Sequence, residues 1–232
     1  MLEVEGLSVN YGSVRALSDV TLQFAGEGIL HGVIGPNGAG KSTLMDAICG
    51  RRPPTAGIVR YDGEDVTRRS VAWRRHKGMS RSFQKTSIFQ KLTVREQLQL
   101  VAHHLRDPHL DDVVVTMDLG DFLDEPAGRI AYGVQRRVDV ALALIGRPRL
   151  LLMDEPGAGL SASETLHLFK HVRRLVRDRN FCAVIVEHDV EAVFACCDTI
   201  TVLDLGRHLT TGSPAEIRAD RRVVDAYLGT AA

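Results

Sequence analysis

The run Gly35-Pro36-Asn37-Gly38-Ala39-Gly40-Lys41-Ser42, with Thr43 behind it, constrains this chain more than any other feature. It fits the pattern GxxxxGK[ST] in full. The segment before it, Ile29 to Ile34, is mostly apolar, as a strand covered on both faces must be. The segment after it, Ser42 to Cys49, has the pattern of a helix. Glycines let such a turn curl until several backbone N–H groups point at one anion. The helix start adds its positive dipole end. The arrangement is therefore a cradle for phosphates. Lys41 is expected to reach the β- and γ-phosphates of a nucleotide, and the Ser42 hydroxyl to bind Mg²⁺.

Two further apolar runs match a buried parallel sheet, Leu150 to Met153 and Cys182 to Val186. Helical patterns at Val134 to Leu144, Ala162 to Arg177 and Val190 to Cys197 alternate with them, which predicts an α/β architecture. Both strands end in chemistry. Leu150-Leu151-Leu152-Met153 runs into Asp154-Glu155, and Val184-Ile185-Val186 runs into Glu187-His188. Ligands of parallel sheets bind at the carboxyl ends of strands, so these residues should face the phosphate turn. Asp154 is then expected to hold Mg²⁺ through water, and Glu155 to be the general base for an attacking water. His188 is expected to donate a hydrogen bond to the γ-phosphate or to that water.

The amino-terminal part has a different period. Leu2 to Asn10 and Leu17 to Phe24 alternate apolar and polar, and Ile58 to Tyr61 ends in the turn Asp62-Gly63, which predicts an antiparallel layer. Residues of about 85–147 carry no strong buried strand and read as an inserted helical subdomain, with Thr93 to Leu105 its clearest helix.

Charge narrows the function classes. Lysine and arginine number 29 against 29 acids, so the net charge is zero. A non-specific hold on nucleic acid or an anionic membrane is a poor expectation. The basic cluster Arg68-Arg69 and Arg74-Arg75-His76-Lys77 has only Trp73 interleaved, and reads as a solvated or membrane-proximal face. No apolar run approaches the roughly 20 residues of a membrane span. The start, Met1-Leu2-Glu3-Val4-Glu5, carries acid where a signal peptide carries base, so a cytoplasmic location is expected. Cys49, Cys182, Cys196 and Cys197 show no metal-ligand spacing and read as reduced thiols.

In order and spacing, these residues resemble the ATP-binding subunit of an ABC transporter. The resemblance runs from Tyr11 through residues 35–43, Gln84 in Arg81-Ser82-Phe83-Gln84, Ile130-Ala131-Tyr132-Gly133-Val134-Gln135-Arg136-Arg137 and Leu150 to Pro156, and ends at His188. It implies a single α/β cassette over residues 1–232. The fold would be a P-loop NTPase with a RecA-like parallel core and the antiparallel layer, over roughly 1–84 and 148–232, and the helical subdomain between. It implies that Tyr11 stacks on adenine, and that Gln84 touches Mg²⁺ and the attacking water and couples the site to a permease. Ala131, Tyr132, Gly133 and Val134 would be the signature that closes on ATP held by a partner ATPase in a head-to-tail dimer. The implied work is ATP hydrolysis at the cytoplasmic face of the inner membrane, on integral permease subunits and indirectly with a solute-binding protein, without nucleic acid.

The signature departs from the common Leu-Ser-Gly-Gly-Gln. Ala131 stands at the serine, Tyr132 at the first glycine and Val134 at the glutamine; Ser161 stands where many members have aspartate. Tyr132 and the Arg136-Arg137 pair resemble the branched-chain amino-acid uptake group, as does the ending from Gly212 to Gly229. The same ending is similar to urea-uptake and lipopolysaccharide-export subunits, and the dimer is left open between like and unlike subunits. A soluble ABC ATPase of DNA repair or translation is the reading from another class. Its usual second cassette or long insertion is missing here. A GTPase would need Asn-Lys-x-Asp, which is absent.

Overall fold

The computed structural model describes residues 1–24, 26–82 and 87–228. Strands β1 (Leu2–Tyr11), β2 (Val14–Phe24), β4 (Ala56–Tyr61) and β5 (Glu64–Asp65) form an antiparallel sheet in the order β2-β1-β4-β5. Strands β3 (Leu30–Ile34), β6 (Met79–Ser82), β7 (Leu150–Asp154), β8 (Cys182–Val186), β9 (Thr199–Asp204) and β10 (Arg207–Gly212) form a second sheet in the order β10-β9-β3-β8-β7-β6. Its pairings are parallel from β9 to β6, and β10 lies antiparallel on β9.

The two-residue period of the strands divides the core in two. Leu150, Leu152, Cys182, Val184 and Val186 face the antiparallel sheet, with Leu44, Met45 and Ile48 of helix α1 (Lys41–Cys49) between the sheets. Leu151, Met153, Ala183 and Ile185 face the other way. They pack against helices α5 (Tyr132–Leu144), α6 (Ala162–Arg179) and α7 (Val190–Cys196). Each fully buried Val, Leu or Ile contributes about 1.5–3 kcal/mol. This double coverage is why the central strands read as unbroken apolar runs.

Between β6 and β7 the chain is helical: α3 (Val94–Leu105), α4 (Leu110–Thr116), a 3₁₀ turn at Gly120–Phe122 and then α5. The start of α3 is written in its sequence. Thr93 Oγ1 accepts from the Glu96 N–H, and Glu96 Oε2 accepts from the Thr93 N–H at 2.7 Å. Ser161 and Glu164 make the same box on α6. Ser213 and Glu216 do so on α8 (Pro214–Ala219), which leads into α9 (Arg221–Leu228). Among the described residues no helix is long and apolar enough to cross a membrane.

The structure departs from the sequence expectation in several places. β6 reads Met-Ser-Arg-Ser, without an apolar run, yet Met79, Ser80 and Ser82 are buried. The Ser80 hydroxyl is satisfied by donating to Ala143 O at 2.6 Å. β9 and β10 complete the far edge of the sheet, which three buried strands did not reveal. Arg74 corrects the reading of the basic cluster. It lies on α2 (Val71–His76), is 1% exposed, and its guanidinium donates to Ala47 O at 3.1 Å and to the carbonyls of Ile48 and Thr67. A cation at the end of α1 complements the helix dipole there. The neighbouring Arg75 donates to Ile145 O, just beyond α5. All four cysteines are buried, and none is in a disulfide.

His31 is a core residue that no pattern announced. Its ring meets Phe24 edge-on at 4.9 Å, and its Nε2 shares a 2.8 Å hydrogen bond with Thr201 Oγ1. Burial lowers its pKa from 6.5 to about 4. The native state holds the neutral ring while the unfolded chain takes up a proton, so this stabilisation is complete above 6.5 and fades as pH falls towards 4. Between pH 7 and 5 the unmodified chain should lose about 2 kcal/mol more unfolding free energy than His31→Leu, by urea denaturation. Equal losses would show that His31 does not resist protonation in the fold.

Candidate functional site

Parallel register brings the strand ends together. Val33 pairs with Val186, and Asp154 pairs with Val186 from the other side. The residues after β3, β7 and β8 therefore emerge at one edge. There Asn37, Gly38, Ala39, Gly40, Lys41, Ser42 and Thr43 share a cleft of about 300 Å³ with Ala16, Glu155 and His188. Gly40 caps α1 at φ 96°, and a Cβ there would come within 2.6 Å of Ala16 O. Only glycine lets the turn curl this close to the antiparallel layer.

Lys41 Nζ donates to Gly35 O at 2.7 Å and to Pro36 O at 3.0 Å, which folds the side chain along the turn. Burial pushes its pKa below the ordinary ammonium value, and the carboxylates of Glu155, Asp154 and Glu187 pull it back. Ser42 Oγ donates to Asp154 Oδ1 at 3.3 Å. Asp154 Oδ2 accepts from Arg81 Nη2 at 2.8 Å. Burial raises the Asp154 pKa, and Arg81 opposes the rise.

Glu155 is held at φ 48°, a left-handed conformation uncommon for a residue with a Cβ. Its N–H donates to Val186 O at 2.8 Å, which turns the side chain out of the strand into the cleft. His188 Nε2 donates to Glu155 Oε1 at 2.6 Å. A carboxylate oriented by an imidazole is a competent acceptor for the proton of a water.

Two charged residues missed in the sequence frame this centre. Arg81, at the end of β6, pairs with Asp46 Oδ1 of α1 at 2.6 Å as well as with Asp154. Glu187 is buried and accepts the N–H of Gly157 at 2.6 Å and of His188 at 2.8 Å. Burial raises its pKa, and the backbone donors of His188 and Gly157 oppose this. The available signal was a charge on or just after a buried strand, which folding tolerates only with partners.

The remaining expected site residues lie elsewhere. Tyr11 ends β1 and is 42% exposed; the Arg52 guanidinium sits 4.3 Å from its ring centre, and the ring does not line the cleft. Ala131 precedes α5 without a side-chain cap. With Gly133 and Val134 it lines a separate cleft, beside Leu160 and Glu164. Tyr132, on the first turn of α5, is 42% exposed. Gln84 lies outside the described residues.

Known proteins share this sequence pattern and this fold. The family described as ABC transporter matches residues 17–158, and that described as branched-chain amino acid ATP-binding cassette transporter matches residues 207–232. The high-affinity branched-chain amino acid transport ATP-binding protein BraF of Pseudomonas aeruginosa is 34% identical over 100% of this chain and 98% of its own. The lipopolysaccharide export system ATP-binding protein LptB of Haemophilus influenzae is 30% identical over 99% and 97%. A solved ATP-binding cassette of an ABC transporter, in its ADP conformation, superposes with a TM-score of 0.89 at 26% identity, over 99% of this chain and 98% of that one.

Arg81 offers a direct check on the site's charge balance. Arg81→Met would leave Asp46 and Asp154 without their shared cation, and removing one partner of a buried pair costs about 3–5 kcal/mol. Urea unfolding should register that loss. A change below about 1 kcal/mol, the range of an exposed pair, would show that the bridge does not hold the acids.

Proposed function

The chain belongs to the ABC transporter family of ATP-binding cassettes, and on that footing we propose that it is the ATP-hydrolysing subunit of an importer for branched-chain or other hydrophobic amino acids. The observation that carries the reading is the convergence of the phosphate turn with Glu155 and His188 on one cleft. The match of residues 207–232 to the branched-chain group, and the identity to BraF over the whole chain, favour this cargo over lipopolysaccharide export. The same ending favours transport over work on DNA or ribosomes.

In this reading the backbone donors of residues 35–43 bind the triphosphate, and Lys41 turns from Gly35 O and Pro36 O to the β- and γ-phosphates. Tyr11 stacks on the adenine, displacing Arg52 from its ring. Ser42 Oγ and Asp154 Oδ1 are hard oxygens 3.3 Å apart beside the cradle, a donor set suited to Mg²⁺, which prefers few protein oxygens plus phosphate and water. Ser42 would hold the ion directly and Asp154 through water, with Gln84 as a further ligand. Mg²⁺ held there would neutralise charge on the phosphates. Glu155 accepts the proton of the attacking water, and the His188 Nε2–H that holds the carboxylate in this structure turns to donate to the γ-phosphate when ATP is bound.

Subunits of this family dimerise and act with membrane permease components. We assign Ala131, Tyr132, Gly133 and Val134 to the face that closes on the nucleotide of a second ATPase in a head-to-tail pair. Ala131 brings no hydroxyl, so the backbone N–H groups at the start of α5 do the binding. The chain acts as one cassette, peripheral at the cytoplasmic face of the inner membrane. The permease and an external solute-binding protein select the cargo.

Lys41→Ala should weaken ATP binding about tenfold or more, the worth of its charge-assisted hydrogen bonds. Equilibrium titration with a fluorescent ATP analogue reads this directly, and undiminished affinity would move the phosphate site elsewhere. Glu155→Gln should keep ATP affinity, slow turnover by about 10²–10⁴-fold, and accumulate an ATP-bound dimer on a sizing column. Unimpaired turnover would remove Glu155 from the role of base.

A further inference from the structure

Tyr132, which stands at a glycine of the common signature, and Arg136, two positions beyond that signature, stand four positions apart on α5 and so share a helix face. Both touch the segment that follows β7. A Cβ on Gly159 would come within 2.7 Å of Tyr132 Cε1, so the ring rests directly on that glycine. Arg136 is 1% exposed, and its Nη2 donates to the backbone carbonyl of Glu155 at 3.1 Å. The same carbonyl accepts the N–H of Ala158 at 3.0 Å. The Arg136 guanidinium lies 5.8 Å from the Tyr132 ring centre, within cation–π range. Glu155 keeps φ 48° only because its surroundings hold it there.

We propose that Arg136, backed by Tyr132, is a positioning residue that ties the signature helix to the backbone of Glu155 in the same chain, so that closing on a partner's nucleotide aligns this chain's own base. The proposal rests on the assignment of the signature to a partner's ATP and of Glu155 to base catalysis. A helix moves as a rigid body, so a shift of the α5 start carries Arg136 with it. A buried guanidinium does not give up its acceptor cheaply, so the Glu155 carbonyl follows. The Glu155 carboxylate is one residue's rotation away, already shared with His188. A displacement of about 1 Å at such a group is worth about a hundredfold in rate.

Two substitutions in the full chain separate this from a purely structural role. Arg136→Met keeps the length of the side chain and removes the donors; Arg136→Lys keeps a cation and a donor. Arg136→Met should leave ATP affinity within about twofold while kcat at saturating ATP falls about tenfold or more, and Arg136→Lys should regain most of that kcat. Hydrogen exchange gives a second readout independent of turnover. In the Glu155→Gln background, ATP-driven dimerisation should raise protection of residues 155–160, and Arg136→Met should abolish that increment while residues 35–49 keep theirs. Unchanged kcat, or an undiminished increment at 155–160, overturns the proposal. So does a loss of protection at 35–49 equal to that at 155–160, which would make Arg136 a general packing residue. A failure of the parent reading shows elsewhere, as an unsubstituted chain that binds no ATP or a Glu155→Gln chain that turns over normally.

Discussion

The carboxyl ends of three parallel strands meet at one edge, and everything chemical in this protein depends on that register. β3 ends where the phosphate turn begins, β7 ends in Asp154, and β8 ends just before Glu187 and His188. Val186 pairs with Val33 on one side and Asp154 on the other, so a slip of one residue would turn Asp154 to the opposite face. The slip is prevented by the core. Alternate residues of β7 and β8 fill two different hydrophobic layers, and each layer is complete only in one register.

In the core the fold spends buried arginines on backbone and acids. Arg74 gathers carbonyls at the end of α1, Arg81 joins Asp46 of α1 to Asp154 of β7, and Arg136 holds the carbonyl of Glu155. A planar guanidinium with several donors suits such bridging better than an ammonium does. The consequence is mechanical. Helix α1, which starts at the glycine-rich turn, strand β7 and helix α5 are pinned to one another by charge-assisted contacts.

The main architecture was legible because it follows from periods. Alternation predicted β1, β2 and β4, continuous apolarity predicted β3, β7 and β8, and the phosphate turn stands where a strand gives way to a helix. β6 was not legible, since its stability comes from pairing with β7 and from the Ser80 hydroxyl reaching Ala143 O. Arg74, Arg81 and His31 were misread or passed over for a common reason. Nothing in the residue type says whether a polar side chain will find partners, and only partners permit burial.

By itself the sequence determined which residues can carry chemistry: a glycine-rich turn with Lys41 and Ser42, acids at the end of one apolar run and a histidine at the end of another. These are local properties, set by residue type and spacing along a strand. The tertiary structure alone decided that Glu155 and His188 share a hydrogen bond, that Arg81 neutralises Asp154, and that Arg136 of α5 holds the backbone carbonyl of Glu155. Those contacts join positions 19 to 73 residues apart in the chain. Their existence depends on how helices and strands pack, which periodicity does not encode.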